Sequence, residues 1–413
     1  MASLAFTPAH EPSHVFSVAN RALKLTSSAD IAPLLQDLAQ LPQCTKIDFS
    51  GNTLGIEASR ALAACISANA GVRDHLVELN FADLYTSRLV DEVVESLEIF
   101  VPVWLACPRL SIVNLSDNAF GLRTIDSLER YIRSAVQLEH LILSNNGMGP
   151  FAGERIGKAL YQLAQRKKAA GSPLLETFIC GRNRLENGSA AHLALGLKAH
   201  GAGLKVVKLY QNGIRPRGVA ILIKHGLRHN TALQVLDLQD NTFTTVASAA
   251  LAETLPVWRD SLVELNVNDC LLKGPGSDLV AKVLEAYEFP QLHTLRLQYN
   301  ELTQDTLESS LLPALQANKL PALKFLELNG NRLEEGSDTL TELEQAFDGE
   351  LDELDDLEEL DSEDDEDEED EEDEDAGDAD ASEEANIEAL EKNLADLEIS
   401  VDDLVQDLQK TSI

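Results

Sequence analysis

The chain has 413 residues, 44% hydrophobic and 25% charged, enough to bury a large core, and its formal net charge is -37. That acidity argues against nucleic-acid binding, which needs a basic face to neutralise phosphate, and no apolar run approaches the roughly 18 residues of a membrane span. Five cysteines, an odd number without CxxC spacing, suggest neither a disulfide framework nor a zinc site and read as reduced, mostly buried thiols.

The opening residues, MASLAFTPAHEPSH, lack the basic stretch and apolar core of a secretion signal, so a soluble, intracellular protein is expected. HEPSH, His10 to His14, matches the zinc-protease pattern H-E-x-x-H in letters only. Two histidines four apart share a metal when a helix puts them on one face, and Pro12 opposes a helix interior there. The sequence also lacks a G-x-x-x-x-G-K-[ST] phosphate loop and a G-x-S-x-G elbow, so no metal, cofactor or nucleotide is expected to be held by this chain.

From Val15 onward the chain repeats itself. A worn copy, VFSVANRALKLTS, is followed by CTKIDFSGNTL at Cys44 and a degenerate LVELNFADLYT at Leu76. Clear copies of L-x-x-L-x-L-x-x-N-x-L then begin at Leu110, Leu138, Leu175, Leu204, Leu233, Leu262, Leu292 and Leu323, about eleven units in all. Later copies recur every 29 to 31 residues, which leaves room for a full helix after each strand. Leu204, Val207 and Leu209 suit a short strand, while Val219, Leu222, Ile223 and Leu227 fall at helical spacing. The expected fold is α/β: a ribonuclease-inhibitor-like leucine-rich repeat solenoid, a crescent with strands on its inner face and helices outside.

In such a solenoid the Asn of L-x-L-x-x-N turns inward, and its amide satisfies backbone groups of neighbouring turns. Asn146 holds that slot in LEHLILSNNGM, Cys270 replaces it in one repeat, and Leu84 occupies it in the degenerate one. The residue just before the slot points out along one rim, and nothing in the expected fold dictates its identity. This row reads Gly51, Asp83, Asp117, Asn145, Arg182, Gln211, Asp240, Asp269, Tyr299 and Gly330. Its long polar middle is either a solvated edge or a binding surface. The loop after Leu84 leaves the regular path and carries Arg88, which either pairs with Asp91 or Glu92 or serves a partner.

The acidic tract comes next. Between Asp348 and Glu384 stand 26 acidic residues and no Lys or Arg, thirteen of the acids consecutive from Glu363 to Asp375, so a disordered segment is expected over 348–384 after a folded 1–347. Over 385–413, Ile387, Leu390, Leu394, Leu397, Val401, Leu404 and Leu408 give an amphipathic helix that either docks on the solenoid or takes a partner.

With these residues in view, the chain resembles the Ran GTPase-activating proteins, in particular the short fungal type. The likeness runs roughly from Val15 to Asp375. It rests on SRLVDEV around Arg88, LSDNAFG at Leu115, LSNNGMGP at Leu143, ICGRNRLENGS at Ile179, QNGIRP at Gln211, LDLQDNTFT at Leu236, LNVNDCLL at Leu265, LRLQYNE at Leu295, FLELNGNR at Phe325 and GELDELDDLEEL at Gly349. The resemblance implies a cytoplasmic regulator, itself no hydrolase, that stimulates GTP hydrolysis by the nuclear-transport GTPase Ran in its GTP-bound form. GTP and magnesium would stay with Ran, no nucleic acid or membrane would take part, and Ran-GDP would be maintained for nucleocytoplasmic transport. Many activators insert an arginine finger; this family instead uses an asparagine to orient Ran's own catalytic glutamine, and its essential arginine supports the interface. By motif those two catalytic positions are Asn145 and Arg88. Arg182 and Arg184 of the GRNR phrase are assigned to partner contact, alongside the rim residues Asp83, Asp117, Gln211, Asp240 and Asp269. A monomer is expected, and an accessory Ran-binding protein is compatible with the same picture. An acidic histone-binding protein or a repeat-type binding scaffold would share some of these features, but histone binders of that kind have fewer and shorter repeats than the 29-residue period here.

Overall fold

The computed structural model describes residues 6–357 and 385–396. Among them, twelve short strands lie side by side in one parallel sheet whose spatial order is the chain order. They are β1 (Val15–Ser17), β2 (Lys46–Asp48), β3 (Glu78–Asn80), β4 (Ile112–Asn114), β5 (His140–Ile142), β6 (Thr177–Ile179), β7 (Val206–Lys208), β8 (Val235–Asp237), β9 (Glu264–Asn266), β10 (Thr294–Arg296), β11 (Phe325–Glu327) and β12 (Glu350–Leu351). Register is set by the middle residue of each strand, which must stay on the buried face: Ile47 pairs with Leu79, Leu79 with Val113, Val113 with Leu141, and Leu141 with Phe178. All five are fully buried.

Each strand from β1 to β11 is followed by helix. Examples are Ile56–Ala68, Val90–Leu105, Gly149–Ala170, Glu186–His200 and Thr244–Trp258, each turning apolar residues such as Leu97, Phe100 and Trp104 toward the sheet. The leucine-rich repeat solenoid expected from the 29-residue period is therefore the observed fold.

The inward asparagines form the ladder their spacing requires. Asn146 Nδ2 donates to the carbonyls of Leu115 (3.0 Å) and Leu143 (2.9 Å), while its Oδ1 accepts from the backbone N–H of Asn118 at 2.9 Å. Asn183 repeats the pattern, taking the N–H of Asn146 and donating to Leu143. At Cys270 the thiol donates to the Leu238 carbonyl at 3.3 Å, and burial pushes that thiol far above its ordinary pKa, so it stays protonated and able to donate. The five cysteines are all free, and four are buried.

One expectation at the carboxyl-terminal end needs correction. The acidic tract does not lose structure at Asp348: Glu350–Leu351 pairs with Phe325–Leu326 and extends the sheet. Asp352 then accepts from the backbone N–H groups of Leu328 (2.8 Å) and Asn329 (2.9 Å). Leu351, Leu354 and Leu357 pack on the main core. The cause is that leucines recur between the acids, and that Asp352 caps two backbone donors just after β11. The run from Glu363 to Asp375 lies outside the described residues. The terminal helix is described over 385–396 only; the leucines from Leu397 onward fall outside. Of the two possibilities left open for it, docking is the one observed: Ile387 and Leu394 pack with Tyr161, Ala164, Leu195 and Ala199 on the convex side, and Lys198 binds Glu391 at 2.8 Å.

At the other end, HEPSH forms no continuous helix. Pro12–His14 is a single 3-10 turn, and the His10 ring is bound by Thr45 Oγ1 at 3.0 Å and Glu78 at 2.8 Å. Among the described residues no helix is long and apolar enough to cross a membrane.

Candidate functional site

The rim begins where each strand ends. Its backbone is pinned turn to turn, the N–H of Asp117 bonding the Ser144 carbonyl and that of Asn145 the Gly181 carbonyl, both at 2.9 Å. This geometry forces the residue before every ladder slot into the left-handed region: φ is 48° at Asp83, 61° at Asp117, 55° at Asn145, 57° at Arg182, 53° at Gln211, 54° at Asp240, 52° at Asp269 and 51° at Tyr299. Gly51 and Gly330 at the two ends share it. The expectation that the fold leaves this row free is thus wrong, because a left-handed backbone favours Gly, Asn and Asp. Five carboxylate or amide residues in the row suit that backbone. Arg182, Gln211 and Tyr299 are not types that this backbone favours, and the turn-to-turn bonds hold them in it all the same.

Six of the nine residues picked out from the sequence line one open groove of about 480 Å³: Asn145, Arg182, Arg184, Gln211, Asp240 and Asp269, joined by Gly213, Asn241, Thr242 and Leu271. Its lining carries two guanidinium groups and two carboxylates. Gln211 Nε2 donates to Asp240 Oδ2 at 2.8 Å. Burial and the charge of Asp240 both raise the Asp269 pKa. Asp117 adjoins the groove through Asn145, whose Nδ2 donates to its Oδ1 at 2.9 Å. That bond leaves Asn145 Oδ1 facing solvent, with no donor to it among the described residues. Asn146, beside it, is completely buried.

Asp83 and Arg88 lie outside this lining. Asp83 accepts from the Thr86 hydroxyl within its own loop. The Arg88 side chain is only 11% exposed: Nε donates to Thr53 Oγ1 at 2.9 Å and Nη2 to Thr26 Oγ1 at 3.0 Å, with Glu92 at 3.8 Å. Thr53 in turn donates to the Thr86 carbonyl, so Arg88 fastens the irregular loop to the first two repeats. Gly55 makes room for this, since a Cβ there would meet the guanidinium at 3.1 Å. The pairing weighed from sequence was with Glu92 or Asp91; Glu92 is the weaker contact, and Asp91 pairs with Arg123.

Sequence reasoning passed over three exposed apolar residues at consecutive helix starts: Leu89, 72% exposed, and Leu122 and Phe151, each 52% exposed. They follow the rim loops that carry Arg88, Asp117 and Asn145, and an apolar side chain four or five residues after the ladder slot in three repeats was the available signal. Tyr210 was also missed. Its ring lies over Gly181, where any Cβ would come within 2.5 Å of it, and its hydroxyl donates to Ser144 Oγ at 3.3 Å.

At the carboxyl-terminal end the rim is covered by the chain itself, the Tyr299 hydroxyl donating to Asp356 at 3.0 Å. On the inner face Asp237 is buried and its pKa is pushed up to about 6, a rise that Lys208 opposes.

No protein-family model matches the chain. Among known proteins it is similar to Ran GTPase-activating protein 1 of Saccharomyces cerevisiae, 66% identical over 348 residues that cover 84% of this chain and 86% of that one. It is 37% identical over 209 residues to Ran GTPase-activating protein 2 of Caenorhabditis elegans, covering 50% of this chain and 21% of the worm protein. Among solved structures, the leucine-rich repeat-containing protein LegL7 of Legionella pneumophila aligns over 70% of this chain and 95% of its own at 15% identity, with a TM-score of 0.36.

Proposed function

The chain belongs to the family of Ran GTPase-activating proteins, and from that membership we propose that it stimulates GTP hydrolysis by Ran, presenting the rim groove to the GTP-bound form. Hydrolysis of GTP by such a GTPase depends on a glutamine that orients the attacking water. An amide on the activator can hold that glutamine in one orientation without adding charge, and removing unproductive orientations lowers the barrier. The observation that carries this reading is the contrast between two adjacent asparagines: Asn146 is spent on the ladder, while Asn145 stands exposed at the groove with an unengaged carbonyl oxygen.

Arg182, Arg184, Gln211, Asp240 and Asp269 then serve as the polar contact, and Leu89, Leu122 and Phe151 extend it with apolar surface. Arg88 supports the interface from behind by holding the irregular loop. The chain supplies no nucleotide site; GTP and magnesium remain with Ran. It acts as a monomeric cytoplasmic regulator that keeps Ran in the GDP form there, an accessory Ran-binding protein being optional. Adding catalytic amounts of the chain to GTP-loaded Ran and measuring phosphate release tests this. Release no faster than from Ran alone overturns it.

A further inference from the structure

An amide side chain has two ends of nearly equal shape, and its terminal torsion is broad and roughly two-fold. On an exposed rim Asn145 therefore has two ways to face a partner, as acceptor or as donor. One neighbour removes the choice. Asp117 sits one repeat before it, its backbone pinned to Ser144 and its left-handed φ of 61° holding the side chain along the rim. An ionised carboxylate accepts and cannot donate, so the bond from Asn145 Nδ2 to Asp117 Oδ1 selects the orientation with Nδ2 inward and Oδ1 outward. Among the described residues the Asp117 side chain has no ion pair and no second hydrogen bond. Solenoid stability does not explain its charge, because Gly and Asn suit this backbone equally well.

We infer that Asp117 is a positioning residue which sets the polarity of the Asn145 amide, and through it that of the partner's glutamine. This deepens the reading of the groove as a GTPase-activating site and rests on it. With Oδ1 outward, Asn145 accepts from the glutamine's NH2 group. The glutamine's own carbonyl is then the end left free to accept a proton of the attacking water. The flipped Asn145 would take the glutamine's carbonyl instead and turn its NH2 group toward that water, the wrong polarity for holding a nucleophile. Directionality thus runs from carboxylate to amide to amide to water, and the carboxylate is the member that cannot be reversed. Gln211 and Asp240 make the same amide-to-carboxylate bond further along the rim at 2.8 Å, which shows that the spacing of adjacent repeats suits this pair.

The test uses the full chain, Ran loaded with GTP, and single-turnover hydrolysis at saturating chain. Asp117→Gly, which keeps the left-handed backbone without strain, slows the saturated rate by roughly 3- to 10-fold. Asp117→Asn, which can donate as well as accept, also slows it while retaining shape. In an Asn145→Gly background the Asp117→Gly change has no further effect, because Asp117 acts only through that amide. Unchanged melting of Asp117→Gly confirms that folding is intact. A saturated rate for Asp117→Gly within about twofold of the parent overturns the inference, and so does an additional loss in the Asn145→Gly background, which would mean direct contact with Ran. If Asn145→Gly slows hydrolysis while Asp117→Gly does not, only this inference fails. If the parent chain does not accelerate hydrolysis at all, the proposed function fails with it.

Discussion

Asn145 and Asn146 are adjacent in sequence, yet their replacement is expected to fail in opposite ways. Asn146→Ala removes one acceptor and two donors, but the loss is uneven. The Leu115 carbonyl keeps a bond from Asn118 Nδ2 and the Leu143 carbonyl one from Asn183 Nδ2, both at 2.9 Å. Only the Asn118 N–H is orphaned. One buried unsatisfied donor costs about 1–3 kcal/mol, so the urea midpoint should fall clearly, while the folded fraction still activates Ran. For Asn145 the backbone matters: at φ 55° an alanine adds strain of roughly 1–2 kcal/mol that has nothing to do with the amide. Asn145→Gly avoids this and should change stability by less than about 0.5 kcal/mol. Yet it should slow single-turnover hydrolysis at saturation by at least about tenfold, some 1.4 kcal/mol of barrier. Binding to Ran loaded with a non-hydrolysable GTP analogue should persist. A parental rate for saturated Asn145→Gly refutes the orienting role, and an unchanged urea midpoint for Asn146→Ala refutes the ladder argument.

Other outcomes follow from the same geometry. Arg88→Lys should lose most activation, since one ammonium cannot reproduce the fork that reaches both Thr26 and Thr53; hydrogen exchange over 85–89 should quicken, and retention of full activity would reduce the contact to simple charge. A chain ending at Leu357 should fold and activate, whereas one ending at Phe347 should be less soluble, because it exposes the β11 edge and removes the Asp352 caps; equal behaviour of the two refutes that role. His200, held neutral with its pKa drawn down to about 3 first by burial and then by Lys167, accepts from the Leu175 N–H at Nδ1 and bonds the Leu160 carbonyl through Nε2. Its folded pKa lies below the unfolded value, so stability present above pH 6.5 is lost as pH falls, by up to roughly 2 kcal/mol between pH 6.5 and 5; His200→Gln should flatten that slope in urea titrations. Arg182→Asn and Gln211→Asn should each raise stability by about 0.5–1 kcal/mol by easing a left-handed backbone while weakening Ran binding, and a loss of stability instead would show that the rim does not strain them.

The repeat was legible because its signals are chemical necessities written in single letters. A buried amide must serve two turns at once, so Asn at a fixed place after L-x-L identifies the slot, and the degenerate repeat announced itself through Leu84. Backbone conformation has no letter of its own. The left-handed rim showed only as glycine at both ends of a row of Asp and Asn, which composition alone reads as polarity. Long-range anchors were invisible for a different reason: Arg88 and Thr26 are 62 residues apart and meet because the solenoid stacks three turns there. In the tail, counting charge hid Leu351, Leu354 and Leu357, which are spaced to close the last turn of the core.

The backbone of the rim also divides its residues by what selects them. Asp83, Asp117, Asn145, Asp240 and Asp269 are types a left-handed position tolerates, so their presence alone says little about function. Tyr299 is not such a type, but its hydroxyl is engaged by Asp356 and its ring covers Gly330, so the folded chain accounts for it. Arg182 and Gln211 remain. Both are exposed, both hold φ above 50°, and both line the groove beside Asn145. Gln211 has one intramolecular bond, to Asp240, and Arg182 has none through its guanidinium among the described residues. The stacked backbone imposes the left-handed conformation at every rim position, so what the fold leaves unexplained at these two is the choice of a long polar side chain, and the proposed contact with Ran would account for that choice.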